Sequence, residues 1–203
     1  MSLLFFLYVP FRGRISFFRE DGTVKNAHEK LVALVEGAVM VALAVVLNFL
    51  KVDLGPEGGS VNLVFVPLIA YALRRGTGRA LAAGTVFGVL KCILGGGIAY
   101  GWQSLLLDYA VAYGLTGLAG LLPEKPVAAA LLGSAGCLAS FTLSGVIIWG
   151  QYMPETFWGL PMGSVWVYSL LYNGSFTVCN AALAAAVLWA IYRKTALLHR
   201  QGN

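Results

Sequence analysis

The sequence predicts an all-α integral membrane protein: a bundle of six transmembrane helices with both termini on the cytoplasmic side. Three observations predict it. Hydrophobic residues make up 59% of the 203-residue chain and charged residues only 11%, against about 25% charged residues in a soluble domain. The apolar residues fall in long runs, and a helix rising about 1.5 Å per residue needs about twenty of them to cross a hydrocarbon core of roughly 30 Å. The basic residues cluster at alternate ends of those runs, as they do on cytoplasmic loops.

Residues 1–30 read as a polar or interfacial extension. Leu3–Pro10 is apolar but too short to span, and Pro10 interrupts a helix. Arg12, Arg14, Arg19, Glu20, Asp21 and Lys25 follow it, whereas a signal peptide carries its bases before the apolar run. A start nearer Val24 is the alternative. The membrane domain occupies residues 31–194, and residues 195–203 form a cytoplasmic tail. Six segments are expected: Leu31–Leu50; Val61–Leu73, short and containing Pro67; Ala80–Leu94; Trp102–Leu122; Val127–Trp149; and Val165–Tyr192. Short loops rich in Gly and Pro join them, among them Gly55–Gly59, Gly95–Gly97, Pro123–Pro126 and Met153–Gly163. No internal repeat points to an inverted-repeat carrier.

Charge sets the orientation. Arg12, Arg14, Arg19, Lys25 and Lys30 precede the first segment. Arg74, Arg75 and Arg79 follow the second, Lys125 the fourth, and Arg193, Lys194 and Arg200 the sixth. The opposite loops carry only Lys51 as a base. The net charge of +5 therefore calls for no nucleic-acid partner.

Small residues stand four apart at Ala38 and Ala42 in the first segment and at Gly84 and Gly88 in the third. Such spacing lets backbones approach closely in lipid, either within the bundle or against a partner membrane protein. Cys92, Cys137 and Cys179 lie inside apolar runs with no metal spacing and read as packing residues. No enzyme signature is present: no paired acids, nucleophile elbow, phosphate loop or metal cluster. No cofactor is implied. The two histidines, His28 and His199, fall in the terminal tails. A chain without a nucleotide-hydrolysing motif needs another subunit if ATP drives it.

Asp108 is the only charged side chain in Trp102–Leu122. A carboxylate at that depth costs several kcal/mol unless a polar or cationic group meets it, which makes it a site hypothesis. The fourth segment enters from outside at Trp102, so Asp108 lies roughly 9 Å in. Trp149 ends the fifth segment on the same side, and Tyr168 and Asn173 lie in the outer half of the sixth. Tyr109, Tyr172 and Gln103 stand at similar heights. Such a pocket suits a flat, nitrogen-rich, cationic ligand. The carboxylate accepts hydrogen bonds and attracts positive charge, and aromatic faces attract cations by about 2 kcal/mol when desolvated. Each residue also has a structural reading. Trp149 fits an interfacial aromatic belt, Tyr168 and Asn173 fit polar glue between helices, and Asp108 fits an ion pair with Lys91 of the third segment.

At these residues the chain resembles the thiamine-specific S components of energy-coupling factor (ECF) transporters, from about Leu31 to Arg193. The resemblance rests on Glu36-Gly-Ala-Val-Met-Val-Ala-Leu-Ala44 and on Pro67–Gly76, which ends Ala-Leu-Arg-Arg-Gly. It continues through Leu107-Asp-Tyr109 leading to Gly117-Leu-Ala-Gly120, then Ser144-Gly-Val-Ile-Ile-Trp-Gly-Gln-Tyr152 and Tyr168-Ser-Leu-Leu-Tyr-Asn-Gly174. It implies a six-helix protein of the bacterial plasma membrane that captures thiamine from outside. That protein docks on a transmembrane coupling subunit carrying two ATPase subunits. Asp108, Tyr109, Gly145, Trp149, Tyr168 and Asn173 match the substrate-binding positions, Ala38 and Ala42 the docking positions, and Lys51–Ser60 a lid. Three departures stand out. Phe141 replaces a frequent histidine, Asp108 replaces a longer acid, and Gly58 stands near a position where some members carry an aromatic. Losing the imidazole removes a polar contact, which leads to weaker affinity or to preference for a thiamine precursor or analogue. The rival readings are a stand-alone proton-coupled carrier with Asp108 as the titrating group, and an assembly subunit with no ligand.

Overall fold

The computed structural model describes residues 22–54, 59–195 and 197–198. The extension up to residue 21, the loop positions 55–58 with Gly58, and His199 and Arg200 lie outside the described residues. The chain divides into two compact units, Met1–Val35 and Glu36–Asn203. In the first, the described stretch is the start of helix α1, with Leu31, Leu34 and Val35 exposed.

Helix α1 runs Gly22–Phe49. It begins before the expected Leu31 because helix continues through the polar residues ahead of the apolar stretch, so His28 sits on α1 rather than in a tail. A two-residue hairpin follows, β1 (Val52–Asp53) against β2 (Ser60–Val61), with Val52 opposite Val61 and Asp53 opposite Ser60. Leu54 N–H donates to Gly59 O at 2.9 Å to close the pairing.

The hairpin draws Val61 away from the second expected segment. Helix α2 therefore starts at Phe65 and runs to Arg75, 11 residues. It is roughly 16 Å long, too short to cross by itself. Pro67 falls in its first turn, where the missing N–H costs nothing. Gly76, with φ 82°, ends α2 and donates its N–H to Ala72 O at 2.9 Å. That conformation favours a residue without Cβ and lets α3 (Thr77–Leu94) start at once.

The fourth span, α4, runs Trp102–Leu121 and changes pitch along its length. It is α over Trp102–Ser104, π over Leu105–Val111, α over Ala112–Leu115 and 3-10 over Thr116–Leu121. Helix α5 is Pro126–Ile147, with proline at its start where the fixed φ suits a first turn. The loop Met153–Gly163 contains a second hairpin, β3 (Thr156–Phe157) with β4 (Leu160–Pro161), turning through Trp158 and Gly159 at φ 51° and 77°. Helix α6, Val165–Lys194, is the longest at 30 residues. Each of the six expected segments thus supplies a helix. Five of them are long and apolar enough to cross a membrane, α2 being the exception.

The spans pack through small residues. A Cβ on Gly84 or Gly88 of α3 would overlap the backbone carbonyls of Tyr113 and Tyr109 in α4. One on Gly117 of α4 would come within 2.5 Å of Leu81 N. Close backbone approach of this kind holds helices together in lipid, where water supplies no driving force between them. Gly84 and Gly88 are thus internal packing residues. The core gathers Val41, Ala44, Leu68, Ile69, Phe87, Tyr113 and Leu188. Outward faces stay apolar, with Val39, Leu43, Val86, Leu131, Leu170, Val178 and Trp189 exposed.

At the α2–α3 turn, Glu36 of α1 receives Arg74 Nε on one carboxylate oxygen. Arg75 Nε and Nη2 reach the other at 2.6 and 2.5 Å. The carboxylate inside the first segment is thereby paired twice, and Arg74 also donates to Leu197 O. Cys92 and Cys137 are buried free thiols, and Cys179 is a free thiol exposed on α6.

Candidate functional site

A cavity of about 710 Å³ opens between the hairpins and helices α3 to α6. Asp108, Tyr109, Gly145, Trp149, Tyr168 and Asn173 all line it. The π turns of α4 present Asp108 and Tyr109. Such widened turns recur at functional sites because they shift side chains out of α register.

Asp108 Oδ2 accepts two hydrogen bonds, from Trp149 Nε1 at 3.0 Å and from Ser104 Oγ at 2.7 Å. The Trp149 bond ties α4 to the end of α5. Among the described residues, no donor reaches Oδ1. One oxygen is thus anchored, and among the described residues the other has its lone pairs unclaimed.

Asn173 is buried and ties α6 to α5. Its Nδ2 donates to Ser169 O at 2.9 Å, and to Phe141 O and Ser169 Oγ at 3.3 Å. These bonds are the glue expected of such a residue. They occupy the donors and leave Oδ1 as an acceptor. Gly145 permits the crossing, since a Cβ there would run into Ser169 Oγ, whose hydroxyl donates to Thr142 O at 2.9 Å.

The walls are aromatic. Tyr100 meets Trp149 edge-on with ring centroids 5.4 Å apart, and Tyr152 is tilted against the same indole at 6.0 Å. Phe157 of β3 is buried and packs edge-on against Tyr168 at 5.5 Å and tilted against Tyr172 at 6.0 Å. Phe141 packs against Tyr113 and Phe176, each at 5.8 Å. Where the sequence marks a missing imidazole, the structure has an apolar ring.

Lys91 lines the cavity too, but Asp108 is not its partner. Its ammonium donates to Tyr113 OH and lies 4.6 Å from that ring's centroid.

The first hairpin closes one side of the cavity, through contacts absent from the sequence reading. Asn62 N–H donates to Asn180 Oδ1 at 2.7 Å, and Asn180 Nδ2 donates to Ser60 O at 3.2 Å. Val64 N–H in turn donates to Asn62 Oδ1 at 3.1 Å. Gly59 leaves room for Phe176, whose ring would meet any Cβ there. A buried asparagine in an apolar helix is the signal that could have marked Asn180. Its partners, more than a hundred residues away, could not be named from sequence. Ala38 and Ala42 lie elsewhere, both exposed on α1.

Residues 34–200 match the family model described as thiamine transporter protein (Thia_YuaJ). The chain is 30% identical over 188 residues to the thiamine transporter ThiT of Bacillus subtilis, covering 82% of this chain and 93% of that protein. It is 30% identical over 180 residues to the ThiT of Lacticaseibacillus paracasei, covering 79% and 87%. The fold matches a solved structure of ThiT from Listeria monocytogenes with a TM-score of 0.73 at 20% identity. That match covers 85% of this chain and all of the other.

Proposed function

The chain belongs to the thiamine transporter protein family, and from that premise we propose that it is the substrate-capturing S component of an ATP-driven vitamin importer. It is a multi-pass protein of the bacterial plasma membrane. Thiamine, or a close relative of it, occupies the cavity from the outer face, with both termini of the chain inside. The aminopyrimidine donates to Asp108 Oδ1 and Asn173 Oδ1. The positively charged ring lies among Trp149, Tyr168 and Tyr109, and Gly145 lines the wall beside them, where it lets α5 and α6 close on Ser169.

One observation carries this reading: the half-committed carboxylate of Asp108 inside an aromatic cavity. A desolvated cation gains about 2 kcal/mol from aromatic faces and more from the carboxylate. Release into the cell requires a transmembrane coupling subunit and two ATPase subunits. Exposure of Ala38 and Ala42 on α1 supports docking there, because small side chains on a lipid-facing helix admit a second helix at close range.

Calorimetry with thiamine on the detergent-purified protein tests the ligand. Saturable one-to-one binding is expected, and absence of binding refutes the reading. Ala38→Trp and Ala42→Trp should leave thiamine affinity unchanged and abolish uptake in vesicles that contain the coupling and ATPase subunits. Uptake driven by a proton gradient alone, without those subunits, would replace this mechanism with a stand-alone carrier.

A further inference from the structure

We propose that the ion cluster of Glu36, Arg74 and Arg75 is a positioning device for transport: it fixes the roll of α1 about its own axis, so that Ala38 and Ala42 point outward to the coupling subunit. The proposal rests on the docking role given to α1 above and adds the residues that aim it.

From Glu36 onward, apolar packing holds α1 along one narrow seam. Its buried residues there are Gly37, Val41 and Ala44, while Val39, Leu43 and Val46 are exposed. Apolar contact is non-directional, and a seam of such small side chains resists rolling poorly. The close approach is to α2, where a Cβ on Gly37 would come within 2.8 Å of Tyr71 OH. That contact sets the distance between the helices more than their rotation.

The ion cluster supplies direction. A carboxylate inside an apolar span needs a cation, and one would satisfy it. Glu36 has two, one on each oxygen: Arg74 Nε on Oε1, and Arg75 Nε and Nη2 on Oε2 at 2.6 and 2.5 Å. Guanidinium–carboxylate contacts are planar and directional, so holding both oxygens fixes the plane of the carboxylate. The arginines are themselves held. Both belong to the last turn of α2. Arg74 also donates to Leu197 O, and the next residue, Leu198, is buried in the core cluster that contains Val41 and Ala44. At about 100° per residue, Ala38 and Ala42 lie about 200° and 240° around the helix from Glu36. Holding Glu36 against the bundle therefore turns both alanines away from it, as their exposure shows.

None of the three charged residues lines the cavity, so aiming and capture separate in experiment. Glu36→Gln keeps the shape of the side chain and removes its charge. Calorimetry on the detergent-purified protein should give a thiamine affinity within about threefold of the unaltered protein. In vesicles with the coupling and ATPase subunits, the maximal uptake rate should fall about tenfold or more, the loss of a charge-assisted contact, with KM for thiamine unchanged. Spin labels placed through Leu43→Cys on α1 and Leu131→Cys on α5, in a Cys179→Ala background, should show a broader distance distribution once Glu36→Gln is added. If Glu36→Gln does not fold, Arg75→Lys, which keeps the charge but not the planar fork, should show the same separation of rate from affinity. Undiminished uptake or an unchanged distance distribution overturns the proposal. So does a parallel loss of thiamine affinity, because the cluster then holds the fold rather than aims a helix. Absence of thiamine binding by the unaltered protein, or uptake that needs no coupling and ATPase subunits, sinks the underlying reading instead.

Discussion

Asp108→Asn separates the charge of the site from its shape. The amide is nearly isosteric, and its oxygen can keep the place of Oδ2 under Trp149 Nε1 and Ser104 Oγ, at 3.0 and 2.7 Å. Its NH2 then falls where Oδ1 was and presents a donor to the ligand's own amino group. One charge-assisted hydrogen bond is lost, about 1.5 to 3 kcal/mol, and attraction to the cationic ring goes with it. At about 1.4 kcal/mol per tenfold, thiamine should bind about 100-fold more weakly, and more weakly still if the opposed donors clash. Quenching of tryptophan fluorescence by thiamine reads this directly, since Trp149 contacts the substituted residue. The thermal midpoint of the empty protein should barely move, because the two anchoring bonds persist. An affinity within threefold of the unaltered protein would refute the role of the carboxylate. A large fall in the midpoint would make Asp108 a structural acid.

Two further substitutions probe the frame. Asn180→Ala removes both hydrogen bonds that pin the first hairpin and strands the Asn62 N–H; stopped-flow fluorescence should show thiamine leaving about tenfold faster, from roughly 1 to 2 kcal/mol of lost closure. An unchanged off-rate would mean the hairpin does not gate the cavity. Gly88→Ala forces a methyl into the Tyr109 carbonyl, and overpacking against backbone should cost about 3 kcal/mol. The readout is a thermal midpoint several degrees lower, and an unchanged midpoint would show that α3 and α4 are less tightly joined than described.

Hydropathy alone exposed the spans, because lipid requires long apolar helices and tolerates few alternatives. Asp108 was legible for the same reason, as a lone charge whose cost demands an explanation. Trp149, Tyr168 and Asn173 could be set at its level from topology and helical rise. The remainder depended on tertiary pairing. Val61 is apolar enough to extend a helix, yet it pairs with Val52, which shortens α2. Lys91 and Asp108 are close in height but different in helical phase, and the phase of α4 is set by its π turns, so the lysine meets Tyr113 instead. Glu36 sits in an Ala- and Val-rich helix with no sequence cue to its partners. Only folding brings Arg74 and Arg75 beside it.

The π segment Leu105–Val111 has a consequence for how this site can change over evolutionary time. A π turn holds more residues than an α turn, so removing one residue there would let the segment settle into ordinary α geometry. An α turn spreads about 100° over each residue and a π turn less, so the shortened segment would leave the flanking turns near their present phase while Asp108 and Tyr109, inside it, lost their π register. The acid would shift against Ser104 although no side chain had been replaced. In this stretch the ligand's surroundings are specified by how many residues there are as much as by which ones, and a single-codon deletion is a larger step than most missense changes.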